Sequence, residues 1–236
     1  MISSKSMMLN FMMRIKVTRM VDISTWLDLY MDEVKKTFGD RVWFVGLQGS
    51  YARAEATDHS DIDVVLILDN LSLSDIHTYQ LILDRLPERA LICGFFSGRN
   101  ELLHWDPADL FQFYHDTKPI CGDLNDLIPL LDETAVDRAI KVGAGNIYHG
   151  CLHNMLHGRS ENVLRGLYKS AVFVVQAVLY RQIRQYISKM EDLIDVASSK
   201  DRSVIEISRI LKCGGEVNFD SMSESLFLWS QALLTQ

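Results

Sequence analysis

The pattern of apolar residues changes once along this chain, at about Asp123, and that change limits the folds it can adopt. Before Asp123, short runs of Val, Ile, Leu and Phe predict strands that alternate with helices. After it, apolar residues recur at three-to-four spacing and predict helices alone. We therefore expect an α+β fold, with a small mixed sheet in residues 1–122 and an all-α helical-bundle domain in residues 123–236.

Four strands are predicted before the change: Arg41–Leu47, Ile62–Leu68, Ala90–Phe96 and Lys118–Cys121. Ser24 is placed to cap the first helix, and Asp106 is placed to cap a helix that begins at Pro107. Residues 1–20 are expected to be disordered or to lie upstream of the true start, because several early Met residues compete as start sites. No long linker separates the two domains, so a ligand is expected to bind in the crevice between them.

The composition is that of a folded protein without a large polyanionic partner. Hydrophobic residues make up 48% of the chain and charged residues 23%, close to the usage of globular domains. A net charge of −7, with no dense run of Lys or Arg, disfavours nucleic acid but allows a nucleotide held by a few donors and a metal. The most apolar run, Ala171–Tyr180, is too short to span a membrane, and the N-terminus lacks a secretion signal. We expect a cytoplasmic protein with reduced cysteines and no membrane partner.

The segment that carries chemistry is GLQGSYARAEATDHSDIDVVLILD, residues Gly46–Asp69. Asp61 and Asp63 stand two apart at the start of a predicted strand, so their side chains point to one side while Ile62 points into the core. Two converging carboxylates repel each other, and a divalent cation with hard oxygen ligands, chiefly Mg²⁺, offsets that repulsion. The pair therefore predicts a magnesium site that acts on a triphosphate.

A Gly-Ser turn lies shortly before this pair. Gly49 lets the backbone approach a phosphate closely, and Ser50 opens a short helix whose free amides and hydroxyl can face that phosphate. Gly49 and Ser50 are thus predicted to hold the β and γ phosphates, while Asp61 and Asp63 hold the metal at the α phosphorus. A pair of solvated acids at a strand start is the alternative for an isolated Asp-x-Asp, but the flanking elements favour the catalytic interpretation.

The segment GSYARAEATDHSDIDVVL resembles the nucleotidyltransferases of the DNA polymerase β superfamily, in which a Gly-Ser turn precedes an Asp-x-Asp strand. The order of the two domains is similar to that of bacterial aminoglycoside nucleotidyltransferases and minimal nucleotidyltransferases. The resemblance implies a nucleotidyltransferase domain over residues 1–122, with Mg²⁺ as cofactor and a nucleoside triphosphate, ATP first among them, as co-substrate. Ala54 stands where the family usually has Gly, a departure that helix propensity tolerates in the short helix predicted over Tyr51–Ala56.

The resemblance also implies a third carboxylate on the third strand, as metal ligand or general base. That strand reads ALICGFFSG and holds no acid. Glu101, which follows the strand, is the candidate for this catalytic role, and an ordinary exposed acid is the alternative. If no acid serves, either a metal-bound hydroxide takes the proton from the acceptor or the enzyme is slow or inactive.

The resemblance further suggests a basic residue of the helical domain that reaches back to the triphosphate. Lys189 is the candidate for this nucleotide-binding role, and a solvated lysine near a helix start is the alternative.

The expected function is the transfer of a nucleoside monophosphate, with AMP as the first candidate, to a hydroxyl of a small molecule, with release of pyrophosphate. An antibiotic is one candidate acceptor, on architecture alone. A protein- or RNA-modifying nucleotidyltransferase is one alternative. A degenerate protein that binds nucleotide without catalysis is another, because the third strand lacks its acid.

Overall fold

The structure is a computed structural model that describes residues 20–58 and 60–236. The expectation for residues 1–20 falls, apart from Met20, outside the described residues. The strands are β1 (Val42–Leu47), β2 (Ile62–Leu68), β3 (Ile92–Gly98) and β4 (Lys118–Cys121). The helices of the first half are α1 (Ile23–Phe38), α2 (Gly49–Ala52), α3 (Leu73–Leu83), α4 (Arg99–Leu103) and α5 (Pro107–Asp116). Those of the second half are α6 (Glu133–His153), α7 (Glu161–Ile183), α8 (Met190–Val196), α9 (Ser199–Lys212) and α10 (Phe219–Leu234).

The four strands form one mixed sheet in the order β3-β2-β1-β4. Strand β1 runs antiparallel to both β2 and β4, whereas β2 and β3 are parallel. The expected α+β class is confirmed, with the strands in the first half and helices in the rest.

Alternating residues of β2 face two different cores. Ile62, Val64 and Leu66 are buried on the face covered by α1 and α3. Val65 and Ile67 are buried on the opposite face, against residues of α4 and α5. Because side chains alternate along a strand, Asp63 belongs to this second face. The sheet therefore directs the acid toward α5 and the helical half.

The helical half surrounds α7, which contributes more buried residues to its core than any other helix and contacts α6, α9 and α10. By length and composition α7 could cross a membrane, but 56% of its most apolar window is buried inside the protein. That burial is the property of a core helix. Helix α6 ends at His153, where Asn154–Gly158 forms a π turn that closes at Arg159 with a left-handed backbone.

Helix α5 belongs to both halves of the molecule. Leu110 and Phe113 are buried in the core under the sheet, and Phe111 is buried in the core of the helical half. Asp106 caps the helix as expected, since its side chain accepts a hydrogen bond from the Ala108 amide at 2.9 Å. The C-terminal end of α5 leads directly into β4, so this helix fixes the sheet relative to the helical half.

Helix α2 is shorter than the predicted Tyr51–Ala56, and the reason is the backbone of Ala54. Ala54 has φ +58° and lies outside the helix, which ends at Ala52. The Glu55 amide donates to the Ser50 carbonyl at 2.8 Å, and the Ala54 amide donates to the Tyr51 carbonyl at 3.3 Å. These two bonds are those of a Schellman cap, in which a left-handed residue, usually Gly, ends the helix. The explanation of Ala54 by helix propensity is therefore wrong, because this residue lies outside the helix and has a positive φ.

Replacing Ala54 by Gly is expected to stabilise the protein by about 0.5–1 kcal/mol, since Gly adopts a positive φ without the penalty that a Cβ brings. The matched control is Ala52→Gly, which lies inside α2 and is expected to destabilise by a similar amount. Urea unfolding of the two variants and the wild type measures both changes. Two changes of the same sign would contradict the assigned cap.

Candidate active site

One end of each of the four strands lies at the same edge of the sheet, and the predicted site residues lie at this edge. Leu47, at the end of β1, pairs with Val64 of β2 and with Lys118 of β4. Asp63 pairs with Cys93 at the start of β3. The turn after β1, the start of β2 and the segment before β4 therefore meet at this edge. We call it the site edge.

Asp61, Asp63 and Gly49 come together at the site edge. Asp61 is exposed and Asp63 is half-buried, while Ile62 between them is fully buried, as the alternation predicts. The Gln48 amide donates to the Asp63 carbonyl at 2.7 Å, which holds the turn against β2. A Cβ at Gly49 would lie 2.0 Å from Asp63 Oδ2. Only a residue without a side chain can place its backbone against this carboxylate.

Ser50 follows Gly49 in α2 and is also near this turn, where its carbonyl accepts the capping bond from Glu55. The amides of a first helical turn have no partner within the helix, so those of Gly49 and Ser50 are available to an anion. The structure thus brings four of the sequence-predicted residues to one place.

Charges from both halves of the molecule act on Asp63. Burial raises the pKa of the Asp63 carboxyl, and the neighbouring Asp61 raises it further. The ammonium of Lys169 and the guanidinium of Arg53 oppose this rise. Two carboxylates on one face, supplemented by oxygens of a bound triphosphate, match the ligands that Mg²⁺ prefers. The described residues contain no group of three or more His, Cys, Asp or Glu that could hold a metal ion, so Mg²⁺ at the pair would need those oxygens.

Among the basic residues of the helical half, Lys169 of α7 lies close enough to Asp63 to lower the pKa of its carboxyl. Lys189 is the exposed N-cap residue of α8, and the amide of the next residue donates to Glu55 at 3.3 Å. Lys189 is not among the described charges that shift Asp63. Sequence reasoning missed Lys169 because it lies on an amphipathic helix as one exposed cation among several.

Arg53 and Glu55 link the site edge to the helical half. Glu55 pairs with Arg53 at 3.4 Å and with Lys212 of α9 at 3.3 Å. Burial raises the pKa of Glu55, but the Met190 amide, Lys212 and Arg53 together hold it below the usual range. Glu55 is therefore a charged contact between the two halves, beside the turn that would hold phosphate.

The structure does not bring Glu101 to the aspartates. Because β3 is parallel to β2, its first residues lie beside Asp63, and its last residue, Gly98, pairs with Leu68 at the opposite edge. Glu101 lies beyond Gly98 in α4. From Cys93 to Gly98 the strand alone spans about 16 Å, so Glu101 is too far away to serve as metal ligand or base.

A cleft of about 430 Å³ opens next to the site edge. It is lined by Gln48 from the turn after β1, by Phe95 and Trp105, and by residues of α5. Its acids are Asp109 and Asp116. A second cleft of about 350 Å³ shares Asp109 and Gln112 with it and continues between α5, α6 and α7. The cleft next to the site edge is partly acidic and large enough for a small molecule.

A mixed sheet with an Asp-x-Asp strand, a Gly-Ser turn and a following helical half defines the nucleotidyltransferase class of fold and site. Residues 27–120 match the family model of the nucleotidyltransferase domain. The match thus identifies residues 27–120, which hold the sheet and the aspartate pair, as a nucleotidyltransferase domain.

Two individual proteins are similar to this chain. A protein of Methanocaldococcus jannaschii described as "Putative protein adenylyltransferase" is 36% identical over 58 residues, which cover 25% of this chain and 40% of that relative's length. The crystal structure of spectinomycin adenyltransferase from Enterococcus faecialis, with ATP and spectinomycin, superposes with a TM-score of 0.58. It is 13% identical, and the superposition covers 90% of this chain and 98% of that one. At this identity the likeness concerns the fold, and it extends over both halves.

Proposed function

We propose that this protein transfers AMP from ATP to a hydroxyl of a small molecule, in a reaction that depends on Mg²⁺ and releases pyrophosphate. The observation that carries the proposal is the contact of the Gly49 backbone with the Asp63 carboxylate, which places the amides of the turn beside the acid and allows no side chain at residue 49. The likeness to an adenyltransferase solved with ATP supports the choice of nucleotide. The clefts beside the site edge support a small acceptor.

The chain's own residues divide the work in this proposal. Gly49 and Ser50 hold the terminal phosphates, and Arg53 and Lys169 neutralise charge on the triphosphate from two sides. Asp61 and Asp63 would hold Mg²⁺, which when bound supplies charge neutralisation at the α phosphate. The acceptor lies in the cleft lined by Gln48 and α5, where its hydroxyl can be aligned with the departing pyrophosphate.

The test is pyrophosphate release from ATP and Mg²⁺ across a panel of hydroxyl-bearing acceptors that begins with spectinomycin, followed by mass spectrometry of the acceptor. An adduct of one AMP per acceptor is expected, and it should disappear when EDTA replaces Mg²⁺. CTP, GTP and UTP, offered in turn, measure the nucleotide preference. Tight binding of ATP without an adduct on any acceptor would contradict transfer and favour a nucleotide-binding protein.

A second candidate is transfer of AMP to a protein hydroxyl. The short match to the Methanocaldococcus jannaschii protein favours it, although that match spans 40% of the relative's length. Incubation with ATP labelled at the α phosphate distinguishes the two, because label would appear in protein bands rather than in a small product. The acidic net charge of −7 disfavours RNA as the acceptor.

Lys169→Met is expected to weaken binding of Mg²⁺ and a non-hydrolysable ATP analogue by about tenfold, since a hydrogen bond to a charged group contributes about 1.5–3 kcal/mol. Lys189→Met is the matched control and is expected to change the affinity by less than about twofold. Isothermal titration calorimetry measures both. If Lys189→Met showed the larger loss, the assignment of the helical half's cation to Lys169 would be wrong.

A further inference from the structure

Strand β3 contains no acid, and its residue beside Asp63 is Cys93. Asp63 and Cys93 are register partners on adjacent parallel strands, so the two side chains lie on the same face. Cys93 is exposed at the site edge. A thiol there offers no carboxylate to take a proton, and the reaction proposed above needs a group that does.

A carboxyl group lies at the same edge, on the other side of β1. Asp116 ends α5 two residues before β4, and it lines the cleft of about 430 Å³ together with Gln48. The Gln48 side chain donates to the hydroxyl of Thr117 at 2.7 Å, and its backbone amide donates to the Asp63 carbonyl. One residue therefore ties the segment of Asp116 to the strand of Asp63.

Asp116 is held in a defined position and environment. The Tyr186 hydroxyl, from the segment between α7 and α8, donates to Asp116 Oδ1 at 2.9 Å and lies 3.2 Å from the Gln176 side chain. Burial raises the pKa of Asp116 above its usual range, while Arg53 and hydrogen bonds from Tyr186 and Gln112 limit the rise. Arg53 also acts on Asp63, so its guanidinium lies within electrostatic reach of both carboxyls. A half-buried carboxylate with a raised pKa is a stronger base than a fully exposed one.

We propose that Asp116 is the general base that takes the proton from the acceptor hydroxyl. The inference rests on the proposed function, and it locates the missing base on α5 instead of the third strand. As the proton passes to a carboxylate oxygen of Asp116, the acceptor oxygen forms a bond to the α phosphorus. The bond between that phosphorus and the bridging oxygen breaks, and its electron pair leaves with pyrophosphate. Asp116 then releases the proton to solvent through the open cleft.

Several other charged or titratable groups lie near Asp116 and influence how its ionisation depends on pH. Arg53 favours the charged form, and Asp109 of the same helix shares the cleft. The pKa of the Tyr186 hydroxyl is raised well above its usual value, mainly by burial, so it remains a donor. His115 stacks on the Tyr186 ring at 4.5 Å, and burial lowers its pKa to about 4. His115 is therefore neutral at pH values well above 4.

The test compares Asp116→Asn with Asp109→Asn and Tyr186→Phe, using ATP, Mg²⁺ and the acceptor with the highest rate in the panel described above. Asp116→Asn is expected to lower kcat by about 100-fold while it binds Mg²⁺ and the ATP analogue within about threefold of the wild type. At saturating Mg²⁺ and ATP, which hold Asp63 in its charged form, the wild-type kcat should fall as the pH drops through the pKa of Asp116, and this acid limb should be absent from Asp116→Asn. Asp109→Asn should keep the limb.

The Tyr186→Phe variant distinguishes a catalytic role of Asp116 from a structural role. It removes the hydrogen bond to Asp116 and keeps the carboxylate, so most of the activity should remain and the acid limb should move to higher pH. If Tyr186→Phe lost as much kcat as Asp116→Asn, with equal loss of thermal stability, Asp116 would have a structural role and the inference would be overturned. Wild-type turnover that Asp116→Asn leaves intact would overturn this inference alone. A wild-type chain that modifies no acceptor would overturn the proposed function as well.

Discussion

Pyrophosphate release by Asp63→Asn is expected to be at least about 1000-fold slower than by the wild type, because the variant loses a ligand of the cation that neutralises the α phosphate. The same change is expected to leave the fold intact or to stabilise it. Asp63 is half-buried beside Asp61, and both burial and the like charge oppose ionisation of its carboxyl. Removing that charge relieves the repulsion, as is common when a functional residue is replaced. Turnover assays and urea unfolding of one preparation measure the two effects together.

The matched control for this experiment is Asp69→Asn. Asp69 follows the other end of β2, is exposed, and lies 3.6 Å from Arg41 in an ion pair. Its replacement removes the same charge near the same strand, and turnover should stay within about twofold because exposed ion pairs contribute little. If Asp63→Asn kept more than a tenth of the wild-type rate, the aspartate pair would not be the metal site.

Gly49→Ala is expected to lower turnover by about 1000-fold, since a displacement of 1 Å in an active site can cost 100-fold and the collision here demands more. The new Cβ would lie 2.0 Å from Asp63 Oδ2 and 2.9 Å from its Cγ. Gly49 also has φ +67°, which an alanine adopts only with strain. The carboxylate must therefore move away from the turn, and the phosphate and the cation lose their common site. Calorimetric titration with Mg²⁺ and the ATP analogue should show the loss directly.

Gly39→Ala isolates the backbone strain from the collision. Gly39 ends α1 with φ +56°, and a Cβ there would meet nothing within 4 Å. Both variants should lose about 1 kcal/mol of stability from the positive φ, but only Gly49→Ala should lose turnover. Equal activity of the two variants would show that the space beside Asp63 is not needed for the reaction.

The parts of the site that the sequence predicts are those within one short segment. Gly49, Ser50, Asp61 and Asp63 are separated by a turn and the start of a strand, so alternation and turn chemistry are enough to bring them together. The sheet class and all four strands follow from the same local patterns, with ends that shift by a few residues.

The remaining parts depend on tertiary structure, which local patterns do not specify. Lys169 acts electrostatically on Asp63 only because the fold brings α7 near the site edge, and Asp116 reaches the cleft only because α5 ends where β4 begins. Glu101 was chosen because it follows the third strand, but the parallel direction of β3 carries it to the wrong edge. None of these three placements is visible before the helix packing and the strand directions are known.

The shared helix α5 restricts how proteins of this architecture can diversify. Its Phe111 is part of the helical core, its Leu110 and Phe113 are part of the sheet core, and its cleft side carries Asp109 and Asp116. Recombination at residue 122 would separate Phe111 from the residues that it contacts in the helical core. A gene fragment that ends there would encode a protein with an exposed apolar face. Point substitutions on the cleft side of α5 are therefore less disruptive to the two cores than exchange of whole domains.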